Sequence, residues 1–597
     1  MLEVETKLSD YIAKRLRELG VEHFFMVSGG GAMHLNNSLG KAIPFTCCHH
    51  EQACAIAAEG YARVNQKLAV VNVTIGPGGL NALNGLFGQW TDSVPVLYIS
   101  GQVKRKTMMG SYPDLPLRQL GDQEVDIISV VEPLTKYAAC VTEPEKIKYY
   151  IDRAVYEAMT GRKGPVWLDI PIDVQSAIIK EADLKCFQPP EKVKFSDNNL
   201  VKKISDKLKT AKRPLIIAGH GIRLAGMINE FKQLVDKLKM PVVTTLNGFD
   251  IIESDNPYYI GRIGTIGQRA GNFALQNADL ILCLGTRNNI RQVSYNWENF
   301  GKNAYKIMVD VDSAELEKPL VKPDLAVCAD LGEFIPSLLN QISDKFKDNS
   351  FTPFCQNLRE KYSFEKHPET IQKDKIEPYH FSYALSKKLK ENDIIVMANA
   401  TPTITIFQNT SVKSGQRYIT NSGDASMGYG LPAAIGAITE NPKRNVVCLE
   451  GDGSIMMNIQ ELQTIKHYNL PLKLFIIKNN GYSSIRQSQK NFFEGQMTGS
   501  GEDSGVSVPD FAEVGTAFGL KSVKINNPKT MEEDIKKVLN TKGAVLCEVE
   551  TIQEYSFVPK LSSRQLPDGS MVSASLEDMY PFLDREEFDR NIIRGED

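Results

Sequence analysis

The stretch VVCLEGDGSIMMNIQELQTIKHYNLPLKLFIIKNNGY, residues 446–482, decides how the rest of the chain is read. An apolar run ends at Leu449, and Gly451-Asp452-Gly453-Ser454 makes a tight turn. A helical pattern is expected from about Asn458, with Ile459, Leu462 and Ile465 at helical spacing. A second apolar run, 472–477, ends at Asn479-Asn480-Gly481. Parallel strands bring their carboxyl ends to one edge of the sheet, where open α/β sheets bind ligands. Asp452 and Asn479, 27 residues apart, are therefore expected at neighbouring strand ends. A carboxylate, an amide oxygen and a backbone carbonyl such as that of Gly481 form a hard, all-oxygen set. It suits Mg²⁺ or Ca²⁺, with phosphate oxygens filling the remaining positions. The N–H groups of Gly453 and Ser454 open a helix and are placed to receive a phosphate. A lone Gly-Asp-Gly turn is weak evidence; paired with the Asn-Asn turn one strand later it is far more specific.

The same theme recurs along the chain: LAVVNVTIGPG (68–78), VPVLYISG (94–101), VWLDIP (166–171), PLIIAGHG (214–221), LILCLGTR (280–287), KIMVDVD (306–312), IIVMANA (394–400) and AVLCEVE (544–550). Continuous Val/Ile/Leu runs alternating with helical patterns indicate parallel α/β sheets buried on both faces. Polar breaks at 174–198 and 341–378 divide the 597 residues into three blocks. The domains expected are 1–180, 190–345 and 370–554, followed by a charged tail, 555–597, without strand patterning. That tail reads as a flexible end or as a lid anchored by Tyr555, Phe557, Tyr580 and Phe582. The charge balance, 69 Lys+Arg against 72 Asp+Glu, argues against nucleic acid as a partner. No run of about 18 apolar residues suggests a membrane span, and the charged, amphipathic start does not resemble a signal peptide. Ten cysteines without a C-x-x-C pair read as reduced core thiols in a cytoplasmic protein. No G-x-G-x-x-G fingerprint opens a helix after a strand, which disfavours a dehydrogenase.

The 446–482 spacing resembles the diphosphate-and-metal motif of the thiamine-diphosphate enzymes, and the resemblance extends over most of the chain. His50-Glu51-Gln52 with Ala57-Ala58-Glu59-Gly60-Tyr61-Ala62-Arg63 is similar to that family's N-terminal glutamate segment. Thr74-Ile75-Gly76-Pro77-Gly78-Gly79-Leu80-Asn81 resembles its T-x-G-P-G loop, and Met427-Gly428-Tyr429-Gly430-Leu431-Pro432 resembles the segment that supports the bent cofactor. Within the family the likeness is to acetolactate synthases and their relatives. It implies three doubly wound parallel-sheet α/β domains: pyrimidine-binding, central and diphosphate-binding.

By that resemblance Glu51 hydrogen-bonds the pyrimidine ring and promotes the imino form that deprotonates the cofactor; flanking apolar residues are expected to desolvate it. Gly76, Gly453, Ser454 and Asn479 contact the cofactor, Met427 props it, and the carbonyl of Ala425 accepts from its amino group although relatives often have Gly there. Thr401 and Thr403 stand where the family contacts diphosphate, with residue types that differ from the usual ones. Asp452, Asn479 and Gly481 hold Mg²⁺. Gly31 stands where decarboxylases often carry a larger residue and is expected to leave room for a second substrate. His34, His49 and His50 are candidate proton carriers. Arg162 of the first block and Arg287, Asp310 and Asp330 of the central block resemble FAD contacts of acetolactate synthases. Other members bind ADP or nothing there, and the same set reads equally as an interdomain salt-bridge network.

The likeness implies a 2-keto acid decarboxylase and carboligase that uses pyruvate as donor, with a carbonyl acceptor and no membrane partner, working as a homodimer or homotetramer. Two departures bear on the acceptor. Gln489 stands where biosynthetic acetolactate synthases carry a pocket-shaping Trp, and residues 101–125 run longer than usual, with Arg118 and Gln123 expected near the pocket. A keto sugar nucleotide as acceptor, simple decarboxylation or C–C lysis therefore stay open as alternatives. Residues 490–508 and the tail are the expected closing lid.

Overall fold

The structure is a computed structural model, and it describes residues 5–191, 194–342, 350–364, 374–565, 568 and 570–593. Much of the break expected at 341–378 lies outside the described residues. The described chain builds three six-stranded, wholly parallel sheets. The first runs in the order Phe45–Cys47, Phe24–Met26, Ala69–Val73, Val96–Gln102, Val166–Pro171, Tyr137–Cys140. The third runs Arg417–Ile419, Ile394–Met397, Val446–Gly451, Lys473–Lys478, Val545–Glu550, Lys521–Ile525. Counted from its own first strand, each has the order 2-1-3-4-6-5. The two blocks, too unlike in sequence to read as a repeat, thus share one topology. The middle sheet differs: Tyr259–Arg262, Val242–Thr244, Pro214–Ala218, Leu280–Leu284, Tyr305–Asp310 and Leu325–Cys328 give 3-2-1-4-5-6.

The apolar runs are continuous because each central strand feeds two cores. In Val96–Gln102, Leu97 and Ile99 pack into one cluster, and Val96 and Tyr98 into the other. Burial of each such side chain contributes about 1.5–3 kcal/mol. The helix expected from about Asn458 starts later, at Glu461–His467, and a separate short helix, Asp452–Ile455, precedes it. Buried Asn458 turns its amide onto the Gly428 carbonyl, 2.8 Å away, and the chain bends there.

The tail also departs from expectation. It carries a short antiparallel hairpin, Ser563–Gln565 with Met571–Ser573, and a helix, Arg585–Arg590. It docks on the central block through Leu576 and through the Asn591 carbonyl, which accepts from Asn277. Phe557 is buried and Tyr555 half-buried, whereas the side chains of Tyr580 and Phe582 are 42% and 54% exposed and Tyr580 joins the tail to Lys560 through its backbone. Of the cysteines, all free, Cys186 and Cys328 lie at the surface and are not core thiols.

Helix Glu51–Asn65 follows the second strand of the first sheet, and helix Gly430–Glu440 follows the second strand of the third. They cross in backbone contact. A Cβ on Gly60 would lie 2.1 Å from the Ala433 carbonyl oxygen, and one on Gly436 would lie 1.8 Å from that of Ala57. Only two hydrogens fit. Gly436→Ala is expected to cost about 3 kcal/mol or more, the upper end of core overpacking, read as a shift in the denaturant midpoint. An unchanged midpoint would show that the helices separate freely.

Candidate active site

At the carboxyl edge of the third sheet the strand order reverses between Ile394–Met397 and Val446–Gly451, the switch point where such sheets take ligands. The turns after these strands and the next one converge there. Asp452 is 1% exposed. Its Oδ1 accepts from the Gly453 N–H at 2.7 Å, and Oδ2 accepts from the N–H groups of Asn479 at 2.8 Å and Gly481 at 3.2 Å. Burial pushes its carboxyl up, and those N–H groups oppose the shift. Asn479 is buried, and its Oδ1 has no hydrogen-bond partner. An orphaned amide oxygen beside a buried carboxylate is costly unless something binds it, and this donor set fits Mg²⁺ with phosphate oxygens.

The other predicted residues of this domain gather around that pair. The Thr401 hydroxyl bonds Tyr555 Oη, while the Thr403 hydroxyl donates to the Ala398 carbonyl at 2.6 Å and is already engaged. The Ser454 hydroxyl accepts from the Gly428 N–H at 2.9 Å, tying the GDGS turn to the segment that carries half-buried Met427. Ala425 has a φ of 56°, a strained value for a residue with a Cβ, and its carbonyl accepts from Asn399 Nδ2 at 3.0 Å. A cavity of about 540 Å³ opens beside these turns, lined by Asn399, Thr403, Ala425, Gln487, Asn491 and Lys560 among others.

Glu51 stands at the equivalent edge of the first sheet, as the first residue of its helix, 9% exposed. His50 caps that helix by accepting from the Gln52 N–H, and Asn81 Nδ2 donates to Glu51 Oε2 at 3.0 Å. Gly76 begins the neighbouring helix and packs against the Gln123 carbonyl, so Gln123 meets this edge through its backbone. The room expected beside Gly31 is not there: a Cβ would lie 2.7 Å from Ile75 Cγ2, and glycine is a packing requirement. Arg118 is exposed and lines neither cavity, because residues 111–120 lie on the surface. His34 is half-buried and His49 exposed. Gln489 is turned into its own loop, donating to the Thr498 carbonyl at 2.8 Å and accepting from Ser500. Among the described residues no hydrogen bond joins Glu51 to the Asp452 cluster.

Arg162, Arg287, Asp310 and Asp330 surround a separate cavity of about 350 Å³, at the switch point of the middle sheet. Arg162 forms ion pairs with Asp312 at 2.9 Å and Glu315 at 2.8 Å, across the boundary between the first and central blocks. Burial, partly opposed by the Asp312 N–H and Arg162, pushes the Asp310 carboxyl up to about 6. His220 also lines this cavity, and neither of its ring nitrogens has a partner. The sequence reading missed it, together with Asn81, Asn399 and Ser483, and named Tyr555 as an anchor of the tail without its partners; the place of Asn81 in the T-x-G-P-G segment was the signal for that residue.

Comparison with known proteins agrees with this geometry. Residues 6–129 match the family model for the N-terminal TPP binding domain of thiamine pyrophosphate enzymes, residues 201–338 that for the central domain, and residues 400–549 that for the C-terminal TPP binding domain. The chain belongs to the thiamine pyrophosphate enzyme family. The acetolactate synthase large subunit of Lactococcus lactis subsp. lactis (strain IL1403) is 34% identical over 540 residues, 90% of this chain and 91% of that protein. The acetolactate synthase isozyme 2 large subunit of Escherichia coli (strain K12) is 32% identical over 95% of this chain and 99% of its own. Acetolactate synthase 1, chloroplastic, of Zea mays is 30% identical over 93% and 87%. The resemblance read from the motifs is thereby borne out, and so is the fold class of three parallel-sheet domains. No helix among the described residues is long and apolar enough to cross a membrane.

In a thiamine pyrophosphate enzyme the Asn81–Glu51 bond has a definite consequence. Asn81→Ala should free the Glu51 carboxylate to rotate, lowering kcat by about 10- to 100-fold while leaving cofactor affinity within a factor of about 2. Steady-state kinetics at saturating cofactor check it; an unchanged kcat would mean that the helix alone aims Glu51.

Proposed function

We propose that this chain binds thiamine diphosphate with Mg²⁺, releases CO₂ from pyruvate and joins the remaining two-carbon unit to a second carbonyl, with a second pyruvate giving acetolactate. The observation that carries this reading is the unpartnered Oδ1 of Asn479 beside the Asp452 carboxylate, at the switch point of the sheet that matches the C-terminal TPP binding domain. Asp452, Asn479 and the Gly481 carbonyl would hold the metal. The Gly453 and Ser454 turn and Thr401 would meet the diphosphate, Met427 would support the bent cofactor, and the Ala425 carbonyl would exchange Asn399 for the cofactor's amino group. When bound, the thiazolium supplies the acyl-anion equivalent that no amino-acid side chain provides. Glu51, set by Asn81, would hold a proton at the pyrimidine ring nitrogen. Residues 490–508 and the tail would close over the site and exclude water.

A dimer in which the first block of one subunit completes the third block of another fits this reading. Exposed Met33, Leu80, Phe87 and Trp90 on the first block and Met456 and Met457 beside the metal edge offer the apolar surface such a contact buries. The central cavity supports FAD. It lies at a 3-2-1-4-5-6 switch point, Gly221 and Gly285 line it with their backbones in close approach, and His220 offers unsatisfied nitrogens. Arg162 would serve there and in the interdomain ion pairs at once. Ten free thiols suit a reducing compartment such as the cytoplasm.

Incubation with pyruvate, Mg²⁺ and thiamine diphosphate should release CO₂ and form acetolactate. The appearance of neither product would overturn the reading. Glu51→Gln should lower the rate by about 10²-fold or more, the scale of an essential proton-transfer group, and an unchanged rate would remove Glu51 from its role. The purified protein should also be yellow, with flavin absorbance near about 450 nm released on denaturation; a colourless protein that takes up no added FAD would leave the central cavity to another ligand.

A further inference from the structure

The loop that carries Asn479 is held twice over through its backbone. Arg486 donates to the carbonyls of Asn479 at 2.8 Å, Asn480 at 3.0 Å and Ser500 at 2.9 Å, and Asp452 accepts from the Asn479 N–H. What this leaves free is the amide. An Asn χ2 torsion is broad and nearly two-fold, so the amide's oxygen and nitrogen could trade places at little intrinsic cost. With nitrogen facing Asp452 the metal would meet a donor where it needs an acceptor.

The tail supplies the group that decides the matter. Tyr555 lies five residues beyond the last strand of the third sheet, and its Oη accepts from Asn479 Nδ2 at 3.3 Å. The same oxygen is 2.8 Å from Ser483 Oγ and also bonds Thr401 Oγ1. A phenol has one proton to give and two lone pairs to fill. Asn479 fills one lone pair, one hydroxyl fills the other, and the phenol proton goes to the second hydroxyl. With the Thr401 proton spent on the diphosphate, Thr401 has to take the phenol's proton, and the phenol oxygen then matches only an Asn479 amide that presents its nitrogen to the tail and leaves its oxygen on the other side. The ring is held independently, against Phe557 at 5.7 Å between centroids and within the Tyr379, Ile404 and Phe557 cluster.

We infer that Tyr555 is a positioning residue for the metal: it fixes the Asn479 amide with Oδ1 inward, so that the tail, a separate segment from the diphosphate-binding sheet, sets the geometry of the metal site. The inference rests on the assignment of Asp452 and Asn479 as metal ligands made above. Loss of an outer partner that orients a metal ligand usually costs 10–100-fold in affinity. Tyr555→Phe, which keeps the ring, should therefore weaken Mg²⁺ binding at fixed thiamine diphosphate by about 10-fold or more. The melting temperature of the metal-free protein should stay within about 2 °C. Titration of Mg²⁺ followed by intrinsic fluorescence reads the affinity, and electron paramagnetic resonance with Mn²⁺ checks it without turnover.

Asn479→Asp gives the decisive comparison. A carboxylate has an oxygen on either side and needs no orienting partner, so adding Tyr555→Phe to that variant should change metal affinity by less than about 2-fold, a non-additivity that a merely structural role would not produce. If Tyr555→Phe binds Mg²⁺ as the unaltered chain does, or weakens it equally in both backgrounds, the inference falls. If the unaltered chain binds no Mg²⁺ with thiamine diphosphate, the assignment of the site falls first.

Discussion

The crossing of helices Glu51–Asn65 and Gly430–Glu440 is the contact on which the architecture depends. It docks the first sheet on the third through equivalent elements, each the helix after the second strand of its sheet. Their backbones meet at Gly60 and Gly436 with no room for a side chain. Gly60 faces the backbone of Ala433 and Gly436 that of Ala57, so small residues line the crossing on both sides. The same crossing buries charge. Glu59 accepts from Arg63 at 2.8 Å and from the Tyr429 hydroxyl at 3.0 Å, and Arg63 reaches Asp92 at 2.7 Å. These bonds form only in one docking geometry, so the contact fixes register as well as distance. Glu51 begins one of the two helices, and its position relative to the third sheet is set by how they cross.

That dependence explains which parts of the site could be read from sequence. The turns at Asp452 and Asn479 were legible because a strand–turn–helix–strand unit closes locally, and its edge follows from the right-handed parallel connection. The three-block organisation was legible for the same reason: continuous apolar runs reveal strands with two covered faces. What escaped depended on contacts between distant segments. Tyr555 reaches Asn479 from 76 positions away, and no periodicity announces it. The break between Asp452–Ile455 and Glu461–His467 escaped because it comes with an amide bond from Asn458 to Gly428, 30 positions back. Gly31 was read as vacancy when the neighbouring turn fills it with Ile75. A glycine in a sequence reports an absent side chain, but not what occupies its place.

The shared 2-1-3-4-6-5 order sharpens the division of labour. In both outer sheets the same strand ends carry the functional turns. Gly31, Glu51 and Gly76 follow the first three strands of one sheet; Thr401, Ala425 and Asp452 follow the first three of the other. Similar scaffolds thus present different chemistry, an acid on one edge and an oxygen-rich nest on the other. The middle sheet, with its own order, carries a different cavity.

The composition of that nest constrains how it binds a diphosphate. The side chains meeting at Asn479 are the hydroxyls of Thr401, Ser483 and Tyr555 and the buried carboxylate of Asp452. The guanidinium of Arg486 is committed to backbone carbonyls. Hydroxyls can donate to phosphate oxygens, but they do not offset the charge of a diphosphate brought beside Asp452 in a site of low dielectric. A divalent cation held beside the Asp452 carboxylate would meet that charge. Metal and cofactor would then bind here as one unit: each would lower the electrostatic cost of the other, and neither is expected to occupy the nest tightly alone.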